Sequence, residues 1–87
     1  MSSSVNQRNL HIEQVEFDDS IRVHLSSGDV LAIPYDYTRK LASASRQILE
    51  NYHLIGEGVG IHFEDIDEDI SLNGIIRYKR EHELLAG

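Results

Sequence analysis

Ile21-Arg-Val-His-Leu-Ser-Ser-Gly-Asp-Val-Leu-Ala-Ile33 is the stretch on which the fold turns. Ile21, Val23 and Leu25 alternate with Arg22, His24 and Ser26, the period of a strand with one face in a core. Ser26-Ser27-Gly28-Asp29 supplies turn chemistry, and Leu31 and Ile33 then fall on one face of a further strand. Upstream, Leu10 and Ile12 alternate, as do Val15 and Phe17, but the phase slips between Ile12 and Val15. A strand with a bulge or bend near Glu13–Gln14 accounts for the slip. Asp18-Asp19-Ser20 is a polar turn. Three strands joined by short turns make an antiparallel meander.

Downstream, Pro34 ends the third strand. Tyr35 to Ala44 reads as a helix, with Tyr37, Leu41 and Ala44 along one face. Ser45 caps a second short helix, Arg46 to Asn51; one longer helix from Asp36 to Tyr52 is the alternative. His53-Leu54-Ile55 is a short apolar segment. Gly56, Gly58 and Gly60 follow at alternate positions, without the Lys-Ser/Thr ending of a phosphate loop. Ile61 and Phe63 mark a strand, and Ser71 is the N-cap of a helix from Leu72 to about Tyr78 that buries Leu72, Ile75 and Ile76. The fold class is therefore α+β: a three-stranded meander, one or two helices, a further short strand or hairpin, and a C-terminal helix. Residues 10–78 form the single domain, after a disordered polar lead over 1–9. Residues 79–87 extend the last helix or fray.

The 87 residues suffice for one small core without disulfides or metals. No cysteine is present, which excludes disulfides, thiolate zinc sites and cysteine nucleophiles. No apolar run spans a membrane and no signal-peptide pattern opens the chain, so a cytoplasmic protein is expected. Eight basic residues against fifteen acidic ones give a net charge of −7, which repels nucleic-acid phosphates and argues against direct nucleic-acid binding.

Several segments together resemble the small single-domain branch of the bacterial domain of unknown function 2442 family. They are Leu25-Ser-Ser-Gly-Asp leading to Ile33-Pro34-Tyr35, then Leu41, Ala44 and Ser45, then Asn51-Tyr52-His53-Leu54-Ile55-Gly56. The most specific is Gly60-Ile61-His62-Phe63, continuing through Ile66-Asp67-Glu68-Asp69-Ile70-Ser71 to Gly74. Phe63 stands where the family typically has Trp, and Glu64 where Pro is common. The resemblance implies a small α+β domain with a meander sheet covered by helices. Some relatives look fused to helix-turn-helix domains; none is read in this sequence, so a DNA role is expected only through a partner. Others sit beside genes of a second small family, domain of unknown function 4160, in an arrangement resembling toxin–antitoxin pairing.

Among candidate sites, the ladder Asp65-Ile-Asp67-Glu68-Asp69 resembles the opening of an EF-hand. Ile70 replaces the required Gly and Ile76 the closing Glu, so a structural role or recognition of a basic partner is expected instead. Asp69 suits the dipole of the helix that follows, and Asp67 suits bonding of turn N–H groups. His62 faces away from Ile61 and Phe63. With Glu64, and with His24 across the sheet, it is the one candidate for metal chemistry, while His11, His53 and His82 show no ligand spacing. Tyr35 and Tyr37, beside Arg39 and Lys40, divide between packing and an interface, and Tyr52 reads as core. Arg77-Tyr78-Lys79-Arg80 reads as a solvated helix end.

No serine sits in a nucleophile elbow and no carboxylates separate into acid and base roles, so no enzyme, catalytic residue or cofactor is expected. The expected function is a protein-interaction domain, adaptor or antitoxin-like, whose partner is a toxin-like protein. Its contact residues are Glu64, Asp65, Asp67, Glu68, Asp69, Tyr35 and Tyr37. The motive is that six of the fifteen acids lie between Glu57 and Asp69. A small-ligand or metal-binding domain using Gly58, Gly60 and His62 is the second class. Self-association into a homodimer is the third.

Overall fold

The computed structural model describes residues 10–86, so the polar lead expected over 1–9 lies outside the described residues. Strands β1 (Ile12–Phe17), β2 (Ile21–Leu25) and β3 (Val30–Ile33) form an antiparallel meander in that order. The slip in β1 is a register shift between Ile12 and Gln14. One extra residue brings Ile12 and Val15 onto the same face, 1% and 5% exposed, though their odd spacing would otherwise separate them. Ile21, Val23, Leu25 and Ile33 complete that face. The β2–β3 turn closes through Leu25 N–H to Asp29 O at 2.9 Å and Gly28 N–H to Leu25 O at 2.9 Å.

Two short helices follow, α1 (Arg39–Ala42) and α2 (Arg46–Leu49). The first begins later than the expected Tyr35. Thr38 is extended and its hydroxyl accepts from Leu41 N–H at 3.2 Å, so Thr38 is the N-cap, while Tyr37 N–H turns back to Pro34 O at 3.1 Å. Ser45 is extended as well and caps α2 by accepting from Ile48 N–H at 3.3 Å, which rules out one continuous helix. Leu41 and Leu49 are the buried anchors of the two helices.

The second sheet is also a three-stranded antiparallel meander: β4 (Tyr52–Ile55), β5 (Gly60–Phe63) and β6 (Glu68–Ser71). The expected hairpin is thus longer by one strand. A 3-10 turn, Glu64–Ile66, and Asp67 in the left-handed region at φ 50° redirect the chain from β5 into β6. Tyr52, Leu54, Ile61, Phe63 and Ile70 point to the core, and Phe63 is fully buried. From Ser71, whose hydroxyl accepts from Gly74 N–H at 2.9 Å, α3 (Leu72–Ala86) buries Leu72 and Ile75. It runs well past Tyr78, so Arg77-Tyr78-Lys79-Arg80 lies within the helix and not at its end. Lys79 Nζ donates to Ala32 O of β3 at 2.9 Å, which a solvated reading did not anticipate.

The sheets join along the outer edge of β1. Tyr52 is half-buried, and its hydroxyl accepts from Val15 N–H at 3.0 Å and donates to Val15 O at 3.3 Å. Ile12 N–H donates to Gly58 O at 2.8 Å, and Leu72 N–H to Val59 O at 2.9 Å. The Tyr52 and Gly58 contacts occupy β1 backbone groups that an edge strand otherwise leaves open to pairing. Phe17 sits edge-on to Tyr52 and Phe63, at 5.8 and 6.5 Å between ring centres, and closes the core between the sheets. Among the described residues, no helix is long and apolar enough to cross a membrane.

Candidate functional site

The second sheet's outer face is set by its register. His53 on β4 pairs with His62 on β5, and His62 pairs with Asp69 on β6, so three polar side chains form one row across three strands. Strand alternation puts them opposite the half-buried Leu54 and the buried Ile61 and Phe63. The imidazole rings of His53 and His62 lie 5.0 Å apart, tilted by 46°. His62 Nδ1 bonds Asp69 Oδ1. An ionised carboxylate only accepts, so Nδ1 carries the proton.

Glu64, the first residue of the 3-10 turn, closes the row. Its Oε1 lies 3.8 Å from His53 Nδ1 and 3.9 Å from His62 Nε2. The His62 pKa is raised above 6.5, first by its hydrogen bond to Asp69 and then by the charges of Asp69, Glu64 and Asp67; desolvation works in the opposite direction. His24, considered from sequence as a partner of His62, is in the other sheet and bonds Glu16 at 2.9 Å. His53 takes its place. The alternation of Tyr52 and Leu54 with His53 and Ile55 was the available signal for that position.

The remaining acids spread around this corner. Asp65 accepts from Asn51 Nδ2 at 3.3 Å, and Lys40 Nζ donates to Asp67 O at 3.1 Å, tying α1 to the loop. Glu68 is half-buried on β6, whereas Glu64, Asp65, Asp67 and Asp69 are exposed. Asp69 therefore serves His62 and belongs to a strand, where the sequence suggested the dipole of the following helix.

The two tyrosines part company. Tyr35 donates its hydroxyl to Asp18 O at 2.6 Å, beside Arg46, which reaches the same oxygen at 3.2 Å. Tyr37 packs edge-on against Tyr78 at 5.0 Å, and burial followed by the Tyr78 charge raises its pKa above 10. A groove of about 470 Å³ places Tyr37 beside Asp69, Ser71, Gly74, Arg77 and Tyr78. Tyr37 thus adjoins the acidic corner.

Gly58 and Gly60 are buried. A Cβ on Gly58, at φ 101°, would meet Ile12 O at 2.5 Å, and one on Gly60 would meet Ile70 O at 3.0 Å. Both glycines serve close backbone approach. A second groove, of about 520 Å³, passes between Val59 and α3 and is lined by Leu10, Leu72, Ile76, Arg77 and Arg80. His62 is not part of its lining.

Two antiparallel meanders, two short capped helices and a longer C-terminal helix define a small α+β domain with a polar corner on its second sheet. Residues 12–81 match the model of the family described as Protein of unknown function (DUF2442), and the chain belongs to that family. It is similar to a protein of unknown function from Rhodospirillum rubrum known from a crystal structure. The two are 28% identical with a TM-score of 0.71, over 78% of this chain and 86% of that one. An uncharacterised protein of Chromobacterium violaceum, solved by solution NMR, shares the fold at 21% identity and a TM-score of 0.72, over 85% of this chain and 71% of that one. Comparison with curated proteins gives no match.

Proposed function

We propose that this chain is a non-enzymatic, cytoplasmic protein-interaction domain that binds a basic partner protein through its acidic corner and the adjoining Tyr37 groove. The observation that carries this reading is the fixed presentation of the acids. Asp65, Asp67 and Asp69 are exposed within five residues, on a 3-10 turn, a left-handed residue and a strand held in register. The Lys40–Asp67 bond anchors that loop to α1. A preset array of like charges orders few side chains on binding and steers a partner of opposite sign. The tyrosine pair beside it supplies the amphipathic contact area that interfaces favour. The gene pairing implied by the family resemblance makes a toxin-like protein the first partner to test, with this chain in the antitoxin-like role.

The test starts by capturing and identifying proteins from the native host with the tagged chain. The product of any neighbouring gene is then purified and titrated against the untagged chain by calorimetry. The comparison is Asp65→Asn/Asp67→Asn/Glu68→Gln, which keeps side-chain shape, suits the left-handed site at 67 and leaves His53, His62, Glu64 and Asp69 in place. Affinity on the order of tenfold weaker for the folded variant, and falling with salt, supports the reading. Equal affinity for both chains removes the acidic loop from the interface.

A further inference from the structure

The histidine row brings potential metal ligands together independently of any protein partner. One ligand atom from each of His53, His62 and Glu64 lies within 4.8 Å of the other two. The two histidine–Glu64 separations are 3.8 and 3.9 Å. A tetrahedral ion with bonds of about 2.0–2.1 Å holds its ligand atoms roughly 3.4 Å apart. Closing the two histidine–Glu64 separations takes about half an ångström of side-chain movement, and the His53–His62 pair, within 4.8 Å, takes up to roughly 1.4 Å. His53 and Glu64, each 59% exposed, have the rotamer freedom to supply it.

His62 is the better-fixed ligand. Its side chain is 23% exposed, and the bond to Asp69 puts the ring proton on Nδ1. The lone pair therefore sits on Nε2, the atom that faces Glu64. A carboxylate behind a histidine in this way orients metal-bound imidazoles and raises their basicity. Two imidazole nitrogens and one carboxylate oxygen suit a borderline ion such as zinc, whereas calcium and magnesium take oxygen ligands.

We propose that His53, His62 and Glu64 bind a divalent first-row transition ion, with Asp69 as the positioning residue and one coordination position left to water. The groups facing the ion are His53, His62 and Glu64, drawn from β4, β5 and the 3-10 turn, with Asp69 of β6 behind His62. None of them contributes to the core, so the protein folds without the metal.

The test is calorimetric titration of the full-length, tag-free chain with zinc chloride, followed by NMR of the histidine rings. The expected result is one zinc per chain, with the His53 and His62 rings shifting together and saturating at one equivalent. His53→Gln, His62→Gln and Glu64→Gln should each weaken binding at least tenfold, and Asp69→Asn about 10- to 100-fold. His24→Gln, on the first sheet, should leave it unchanged. The Asp65→Asn/Asp67→Asn/Glu68→Gln chain keeps all three ligands and Asp69, so it should still take up one zinc with the His53 and His62 rings shifting together, which separates failure of this site from failure of the partner interface. No saturable zinc binding by the wild type overturns the proposal, as does binding retained by folded His53→Gln/His62→Gln. Undiminished affinity in Asp69→Asn overturns the positioning role.

Discussion

His62 and Asp69 are direct register partners across β5 and β6, and the imidazole Nδ1–H donates to the carboxylate. The bond favours the charged ring in the folded chain, together with the charges of Asp69, Glu64 and Asp67. His53, on the other side of His62, is the one other ionisable ring in the row. In chelator-treated protein, NMR should show His62 titrating above 6.5. Asp69→Asn should bring the midpoint back down. Because the folded pKa lies above the unfolded one, the stabilisation is present in full below about pH 6.5 and is lost as pH rises through the folded pKa. A wild-type midpoint at or below 6.5 would show that the bond does not hold the proton.

Gly58 sets the distance between the two sheets. Its carbonyl accepts from Ile12 N–H, and a Cβ there would lie 2.5 Å from Ile12 O in a left-handed conformation. Gly58→Ala should cost at least about 1–3 kcal/mol by urea denaturation, from backbone strain alone, with the steric conflict added. Gly28→Ala, at φ 94° with open space around the new methyl, isolates the strain contribution and should cost less.

Tyr52 joins the second sheet to the edge of β1 through both backbone groups of Val15. Tyr52→Phe keeps the ring against Phe17 but leaves those groups without the hydroxyl. The expected loss is about 0.5–1.5 kcal/mol per hydrogen bond, read as a lower denaturation midpoint at unchanged m-value. An unchanged midpoint would mean that water replaces the hydroxyl at no cost.

Much of this architecture was legible because local chemistry and packing agree. The alternation of Ile21, Val23 and Leu25 located β2, the odd spacing of Ile12 and Val15 located the bulge, and Ser45 and Ser71 marked helix starts. What escaped was set by distant contacts. Glu68-Asp69-Ile70-Ser71 has a single apolar residue, so β6 carries no visible period of two and exists because β5 lies alongside it. The first helix starts late because the Thr38 hydroxyl outcompetes an otherwise suitable apolar spacing. His53 reads from sequence as part of a short apolar segment without ligand spacing, and its partnership with His62 follows from the hairpin register around Gly56–Val59. The likeness to the family brought the fold with it but no chemistry for this corner.

The most direct test of the central claim is calorimetric titration of the purified partner into the wild-type chain and into Asp65→Asn/Asp67→Asn/Glu68→Gln, at low and at physiological salt. The account predicts binding on the order of tenfold weaker for the variant, with a smaller salt dependence because fewer charges are engaged. Identical affinity and identical salt dependence for the two folded chains would contradict it.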